Sequence, residues 1–397
     1  MENLIKHIVL RLGLTCNKSM NGIVFICLLL SACENSSSKR QESSFSEVQS
    51  RWTEEAEVHY AQGFDISYEY DYKVLHLMQG TDTTHYILMP EDVDRPSAYP
   101  EAQRIRIPIR SLVALSTTHV ALADFVEADS IIVALDHTDY VYDPEVRASI
   151  DAGEVTSVGQ SGSLNQEMVL ALQPDLLMVS GMPNTDLQKY NALISSDIPV
   201  LINTEWMENT ALGKAEWVKL MAALLNREEI ANPKFDSIAQ AFQHIAQLTD
   251  SLEEKPEVIS GSPFQGSWYV PGGKSYRSKM FEQAGAQWPW SDNEDVSLPV
   301  AFENIYAYGL EADYWLNPGM VNTLDELLAK DERFADFKAF QNGKVYNHNR
   351  RMTPNGQGND YYESGVVNPH LILADLTHIL HPDLLPDHQL YYYQKLE

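Results

Sequence analysis

"LNQEMVLALQPDLLMVSG", Leu164 to Gly181, carries the pattern that decides the fold. Its first half spaces apolar residues for one face of a helix, and Gln173-Pro174 breaks that helix. Asp175 then leads into an unbroken apolar run, Leu176 to Val179, which reads as a strand buried on both faces, and Gly181 opens the following loop. The order recurs as "ENIYAYGLEADYWLNPG", Glu303 to Gly319, where Asp313 takes the place of Asp175 and Gly319 that of Gly181.

Outward from the first copy, short apolar runs alternate with amphipathic helices. From Ser111 they read "SLVALS", "THVALADFVEA", "SIIVALD", "PEVRASIDAG" and then, past the quoted stretch, "DLQKYNALISS" and "PVLIN". Such alternation predicts a parallel sheet covered by helices on both faces. The same rhythm restarts at Pro256 and ends in the helical "NPHLILADLTHIL". Between the two halves, Phe235, Ile238, Phe242, Ile245 and Leu252 keep a three-or-four spacing after Asn232-Pro233, which reads as an N-cap and a proline at the first helical position. That spacing predicts a helix of about 20 residues, about 30 Å long, able to join two lobes. Upstream, "FDISYEYDYKVLHLM" and "THYILMP" are strand-like. The expected architecture is therefore α/β: two Rossmann-like lobes joined by a single long helix, with a small N-terminal β-rich extension. Its expected parts are a leader at 1–33, a tether at 34–55, the β-rich extension at 56–110, the first lobe at 111–228, the linker helix at 229–255 and the second lobe at 256–397.

A chain of 397 residues, 44% hydrophobic and 21% charged, suits two globular lobes. Its 28 basic and 56 acidic residues leave a net charge of -28, which repels nucleic acid and anionic lipid surfaces. The N-terminus has its own logic. Lys6, Arg11 and Lys18 precede an uncharged apolar run from Gly22 to Leu30, too short for a bilayer span, as in a signal peptide. Met20 is the alternative start to Met1 and would discard all three basic residues. Leu30-Ser31-Ala32-Cys33 resembles the lipobox of bacterial lipoproteins, which implies cleavage before Cys33, its acylation, and a cell-envelope location on a lipid anchor. Cys16 and Cys27 would leave with the leader, so the mature domain would hold no disulfide, thiolate metal site or cysteine nucleophile. The serine-rich "ENSSSKRQESSFSEVQS" reads as a leash.

Three chemistries fail on spacing. "WYVPGGKSYR", Trp268 to Arg277, ends like a phosphate loop, but the glycine required five positions before Gly273 is Trp268. "GQSGS", Gly159 to Ser163, has its glycine one place too early for a serine-hydrolase elbow. His119, His137, His348 and His370 are scattered with no i, i+4 pair, so no direct metal site is expected. Neither a resident cofactor nor catalysis is expected.

"LVALSTTHVALADFVEADSIIVAL", the opening stretch, the linker helix, "GGKSYRSKMFEQAGA" and "LILADLTHILHP" together resemble the substrate-binding proteins of bacterial ABC importers for iron-siderophore complexes and vitamin B12. The resemblance covers about Arg104 to Pro382. It implies a monomer with a ligand cleft between the lobes, an iron chelate or corrinoid as cargo, haem as a further cargo of the same class, and a membrane permease as partner. An enzyme on the same scaffold is the reading from a different class. The family docks through one glutamate on each lobe. Glu282 matches on the second lobe, whereas Ala121 stands at the first-lobe position, leaving Asp124 or Glu127 as substitutes.

Open α/β sheets bind ligands beyond the carboxyl ends of their strands. That rule selects Thr117, Thr118 and His119 after the first strand, Asp136, His137 and Tyr140 after the second, Gly181 and Met182 after the quoted strand, and Trp206 beyond "PVLIN". In the second half it selects Trp268, Tyr269, Trp288, Trp290 and Asn317, with Arg350, Arg351 and Tyr361 from "NHNRRMTPNGQGNDYY". The resemblance adds Lys274 and Tyr276 from the glycine loop. Aromatic walls suit a large planar chelate, and arginines suit its catecholate, carboxylate or phosphate oxygens.

Overall fold

The computed structural model describes residues 51–160, 163–182, 185–264 and 266–397. The leader, Cys33 with its lipobox, and all but the end of the tether lie outside the described residues. No described helix is long and apolar enough to cross a membrane.

In the quoted stretch, Asn165 caps the helix Gln166–Leu172 by accepting the Met168 N–H, and Gln173 ends it in the left-handed region at φ 46°. The strand Leu176–Ser180 follows, with Leu176 to Val179 buried. Asp175 sets its register. One carboxylate oxygen accepts the Arg110 and Ser111 N–H groups at 2.7 and 3.2 Å, just before the neighbouring strand Leu112–Ala114. Asp313 does the same in the second lobe, accepting the Glu257 N–H at 3.1 Å beside the strand Val258–Ser260. Each aspartate thus satisfies amides that the parallel ladder leaves open at its start. This shared device is the physical content of the repeat.

The first lobe is a five-stranded parallel sheet in the spatial order Val200–Asn203, Leu176–Ser180, Leu112–Ala114, Ile132–Leu135, Thr156–Ser157. Chain order reverses between Leu112–Ala114 and Leu176–Ser180, which creates a crevice beyond their carboxyl ends. The second lobe departs from this plan. Its main sheet runs Val258–Ser260, Tyr314–Leu316, Val345–Asn347, Gln394–Lys395, with the last strand antiparallel. A separate antiparallel sheet pairs Ser267–Pro271 with Pro263–Phe264 and Ser297–Val300.

The linker helix runs Glu228–Thr249, 22 residues, so Asn232-Pro233 lies inside it rather than at its start. Pro233 removes one backbone bond. Burial of Ala231, Phe235, Ile238, Ala239 and Phe242 on the packed face outweighs that loss. The β-rich extension is a four-stranded sheet, Phe64–Tyr68, Lys73–Gln79, Asp82–Met89 and Gln103–Arg106, in sequential order. It is fastened to the helices Ala211–Glu216 and Val218–Leu225. Phe64 packs on Trp217, and the buried Lys73 ammonium meets the Ala223 carbonyl, Asn226 and Glu228. Ahead of the sheet, residues 59–63 form a strap: His59, Tyr60 and Ala61 donate backbone N–H groups to Glu216, and Gln62 and Gly63 donate theirs to Glu208.

Candidate functional site

The crevice of the first lobe faces the second lobe, and two adjoining cavities lie between them. The inner one, about 240 Å³, is walled on the first lobe by Ser116, Thr117, Thr118, Glu205, Trp206, Ala211 and Lys214. The second lobe supplies Tyr276, Met280, Tyr361, Tyr362, Val366, Pro369 and Ile372 to the same cavity. The outer one, about 620 Å³, lies between Ser116, Thr117 and Tyr140 on one side and the loops at 319–322, 347–349 and 356–359 with Tyr362 on the other. Ser116, Thr117 and Tyr362 line both, so the two form one cleft. Their sizes suit a small-molecule site.

Local rules place these side chains. Ser116 caps the helix Thr117–Phe125, accepting the Thr118 N–H, so residues 116–118 project from the end of the first strand. The glycine pair of "WYVPGGKSYR" permits a close backbone approach: a Cβ on Gly273 would stand 1.9 Å from the Ser291 carbonyl oxygen. That folded-back loop ends at Ser275, which caps the helix Tyr276–Gln283 and sets Tyr276 at its first turn, against the cleft. The motif is a positioning turn for a tyrosine.

The electrostatics are asymmetric. Lys214 lies 4.3 Å from the centroid of the Tyr276 ring, and Arg277 donates from Nε to the Tyr276 hydroxyl at 3.4 Å. Neither cation has a carboxylate ion-pair partner among the described residues. Burial alone would push the Tyr276 phenol up, but Arg277 and Lys214 outweigh it and hold the phenol below its ordinary range. Glu205 is buried at the inner wall, and its burial raises the carboxyl above the usual range against the pull of Lys214 and Thr118. Its Oε2 has no hydrogen-bond partner. His348 bridges Asn317 Oδ1 through Nδ1 and the Tyr362 hydroxyl through Nε2, both at 2.8 Å. Burial, with Arg277 nearby, lowers it to about 3, so the ring is neutral: Nδ1–H donates to Asn317 and the Tyr362 hydroxyl donates to Nε2. This fixes Tyr362 at the junction of the two cavities. Opposite the inner wall, Met280, Val366 and Ile372 form an apolar surface.

On the side of Tyr140 the lobes touch. The buried Glu363 accepts the Tyr142 and Asp143 N–H groups at 2.8 and 2.7 Å, and burial pushes its carboxyl up to about 8. Arg351 pairs with Asp360 at 2.5 Å and lies over the Tyr142 and Tyr391 rings.

Of the residues selected from sequence, Thr117, Thr118, Tyr140, Trp206, Tyr276 and Tyr361 line the cleft. Gly181 and Met182 stand beside it: the Gly181 carbonyl accepts the Trp206 indole N–H at 2.9 Å, and Met182 is exposed. Asn317, buried at φ 56°, acts through His348. Asp136 and His137 sit together at the edge, 3.8 Å apart, with the His137 ring against Tyr140.

Others are corrected. The His119 ring is wholly buried in its helix, held to about 3 by burial, and cannot meet a ligand there. Trp268 and Trp288 are core: strand alternation turns Trp268 inward to donate to the Ser260 carbonyl, and Trp288 donates to that of Pro271. The same alternation leaves Tyr269 exposed and outside both cavities. Trp290 packs on Trp288 and Tyr308, and Lys274 is an exposed partner of Glu294. Arg350 is exposed and Arg351 serves the lobe contact described above. Among the docking candidates, Glu282, Asp124 and Glu127 are all exposed, whereas Ala121 is buried, so an acid at that position would point into the core.

Sequence reasoning missed Ser116, Glu205, Lys214, Met280, Tyr362 and His348's bridging role. Ser116 and Glu205 adjoin selected residues and obey the same strand-end rule. Lys214, Met280 and Tyr362 lie on helical segments that only packing brings to the crevice.

Residues 112–351 match the family model described as "Periplasmic binding protein". An uncharacterized lipoprotein of Methanocaldococcus jannaschii is 24% identical over 302 residues, 73% of this chain and 70% of that protein. Two solved structures share the fold. One is described as a possible iron-binding (periplasmic solute-binding) protein from Staphylococcus epidermidis, with 16% identity, TM-score 0.53 and coverage of 69% of this chain and 99% of that one. The other is the periplasmic haem binding protein HutB of Vibrio cholerae, with 18% identity, TM-score 0.52 and coverage of 66% and 98%. With a family model matched over more than half of its length and a fold shared with solved binding proteins, the chain belongs to the periplasmic binding protein family.

Proposed function

We propose that this chain is the lipid-anchored substrate-binding protein of an ABC importer, and that it captures an anionic iron chelate of the siderophore type and hands it to a membrane permease. One observation carries the choice of an anionic cargo. In a chain of net charge -28, Lys214 lines the cleft beside Tyr276 and Arg277 contacts the hydroxyl of that tyrosine, neither in an ion pair with a carboxylate among the described residues. Catecholate or carboxylate oxygens of a ferric chelate would supply those partners. Tyr276, Tyr361 and Tyr362 offer aromatic faces, and the lowered phenol of Tyr276 suits a hard ferric centre. The lipoprotein name of the archaeal relative supports the anchor at Cys33. Haem, which carries carboxylates on an apolar macrocycle, is the second reading, favoured by the apolar surface of Met280, Val366 and Ile372.

Trp206, 41% exposed at the cleft, reports occupancy. Titration with ferric catecholate and carboxylate siderophores, haem and cobalamin should quench its emission saturably for the cargo class, and Trp206→Phe should remove the signal. Silence toward all of them sinks the transport reading, and turnover of a chelate would place the chain among enzymes instead.

A further inference from the structure

The four-stranded N-terminal sheet lies outside residues 112–351 and presents a pair of imidazoles that the cleft does not use. Antiparallel register sets His76 opposite His85, and Asp65 opposite His76 on the next strand, so the three share one face across adjacent strands. The two Nδ1 atoms are 2.9 Å apart. The rings meet nearly at right angles, 88° between planes. Ser67, one pleat along from Asp65, holds His76 Nε2 at 2.9 Å. Tyr99 packs against both rings, with centroids 4.7 Å from His85 and 6.2 Å from His76.

We propose that His76 and His85 form a divalent metal clamp, selective for a late transition ion of tetragonal preference such as Cu²⁺ or Ni²⁺, separate from the cleft.

Two features of the pair suit a metal ion. Metal–imidazole bonds of about 2.0–2.1 Å put two nitrogens about 2.8–3.0 Å apart when they subtend a right angle, and about 3.3–3.4 Å apart when tetrahedral. The observed separation matches the right angle, which square-planar or tetragonal ions take. Between the two Nδ1 atoms lies one shared proton, and a cation can replace it when both rings carry their remaining proton on Nε2. Ser67, able to accept as well as donate, stabilises that tautomer of His76, the role an outer partner plays at metal-bound histidines. Tyr99 restricts the rings, and Asp65, paired opposite His76, sets a carboxylate-bearing residue on the same face. Among the described residues no group of three or more His, Cys, Asp and Glu side chains is placed to hold a metal ion. Water therefore completes the coordination, as at an open site rather than a closed structural one.

The test is titration of the purified full chain with CuCl₂ and NiCl₂ by calorimetry, with electron paramagnetic resonance of the Cu²⁺ form. Expected are one tight equivalent, a two-nitrogen equatorial signature, weaker binding of Zn²⁺ than of Cu²⁺, and at least tenfold weaker Cu²⁺ binding in either His76→Gln or His85→Gln. Circular dichroism on both variants separates loss of the site from loss of the sheet, and Ser67→Ala, which leaves both imidazoles, should weaken binding by a smaller factor. Unchanged affinity in both folded histidine variants, or a single-nitrogen signature in the wild type, overturns the clamp. Chelate binding in the cleft should be the same in all these variants, so the clamp and the transport reading stand or fall separately.

Discussion

Replacing Glu216 with alanine should unfasten the N-terminal strap. The side chain is fully buried and accepts the backbone N–H groups of His59, Tyr60 and Ala61, the last two at 2.6 and 2.8 Å. It also pairs with the buried Lys219 ammonium at 2.8 Å. Removing one partner of a buried ion pair costs about 3–5 kcal/mol, because the other charge is left uncompensated. Each stranded amide adds about 1–3 kcal/mol if it stays buried. The strap can instead peel away and hydrate those amides, which limits the total to about 3–5 kcal/mol. With an unfolding entropy of about 2.1 cal/mol/K per residue over roughly 350 folded residues, that is a fall in Tm of about 4–7 °C. Differential scanning calorimetry of the variant and the parent measures it. Because Tyr60 accepts a hydrogen bond from Gln243 of the linker helix, amide exchange in residues 228–249 should quicken as well. The double variant Glu216→Gln with Lys219→Met removes both charges, keeps an acceptor for the strap, and should recover at least half the loss. A Glu216→Ala melting point within about 1 °C of the parent, or a double variant no better than the single one, would refute the reasoning.

Other outcomes follow from the cleft. Lys214→Ala should weaken binding of a ferric chelate at least tenfold in the Trp206 assay while leaving the fold intact; equal affinity would remove the case for an anionic cargo. Gly273→Ala should displace the 272–275 turn, since its Cβ would overlap the Ser291 carbonyl, and should lower both Tm and chelate affinity through Tyr276; an unperturbed variant would contradict the close approach. Glu363 should make stability pH dependent. Its carboxyl is raised from 4.5 to about 8 in the folded chain, so the native state holds a proton that the unfolded chain releases. The resulting stabilisation is complete below about pH 4.5 and is lost as pH rises to about 8. Urea midpoints between pH 5 and 8 should fall less steeply with pH in Glu363→Gln, and parallel curves would show that Glu363 is not the group responsible.

Much of the fold was legible because it rests on periodicity. Leu176 to Val179 reads as a doubly buried strand from its own composition, and the Asp175 and Asp313 contexts announce one device used twice. The cleft was legible where chain position and strand end coincide, as at Thr117, Thr118 and Trp206, and at Tyr276 through the resemblance of the glycine loop. Trp268 and Trp288 misled because an aromatic at a strand end satisfies the same local rule whether it turns to the cleft or the core. His119 misled for a related reason: in a helix one position further round faces the packed side.

By itself the sequence determined the alternation of strand and helix, the linker, the failure of the phosphate-loop and hydrolase spacings, and the excess of negative charge, all of which are properties of neighbouring residues. Only the tertiary structure decided that Lys214, Tyr276 and Tyr362 converge on one crevice, and that His76 faces His85. Those groups come from separate elements, and what brings them together is packing between helices and lateral pairing between strands, whose registers are set by contacts far apart in the chain.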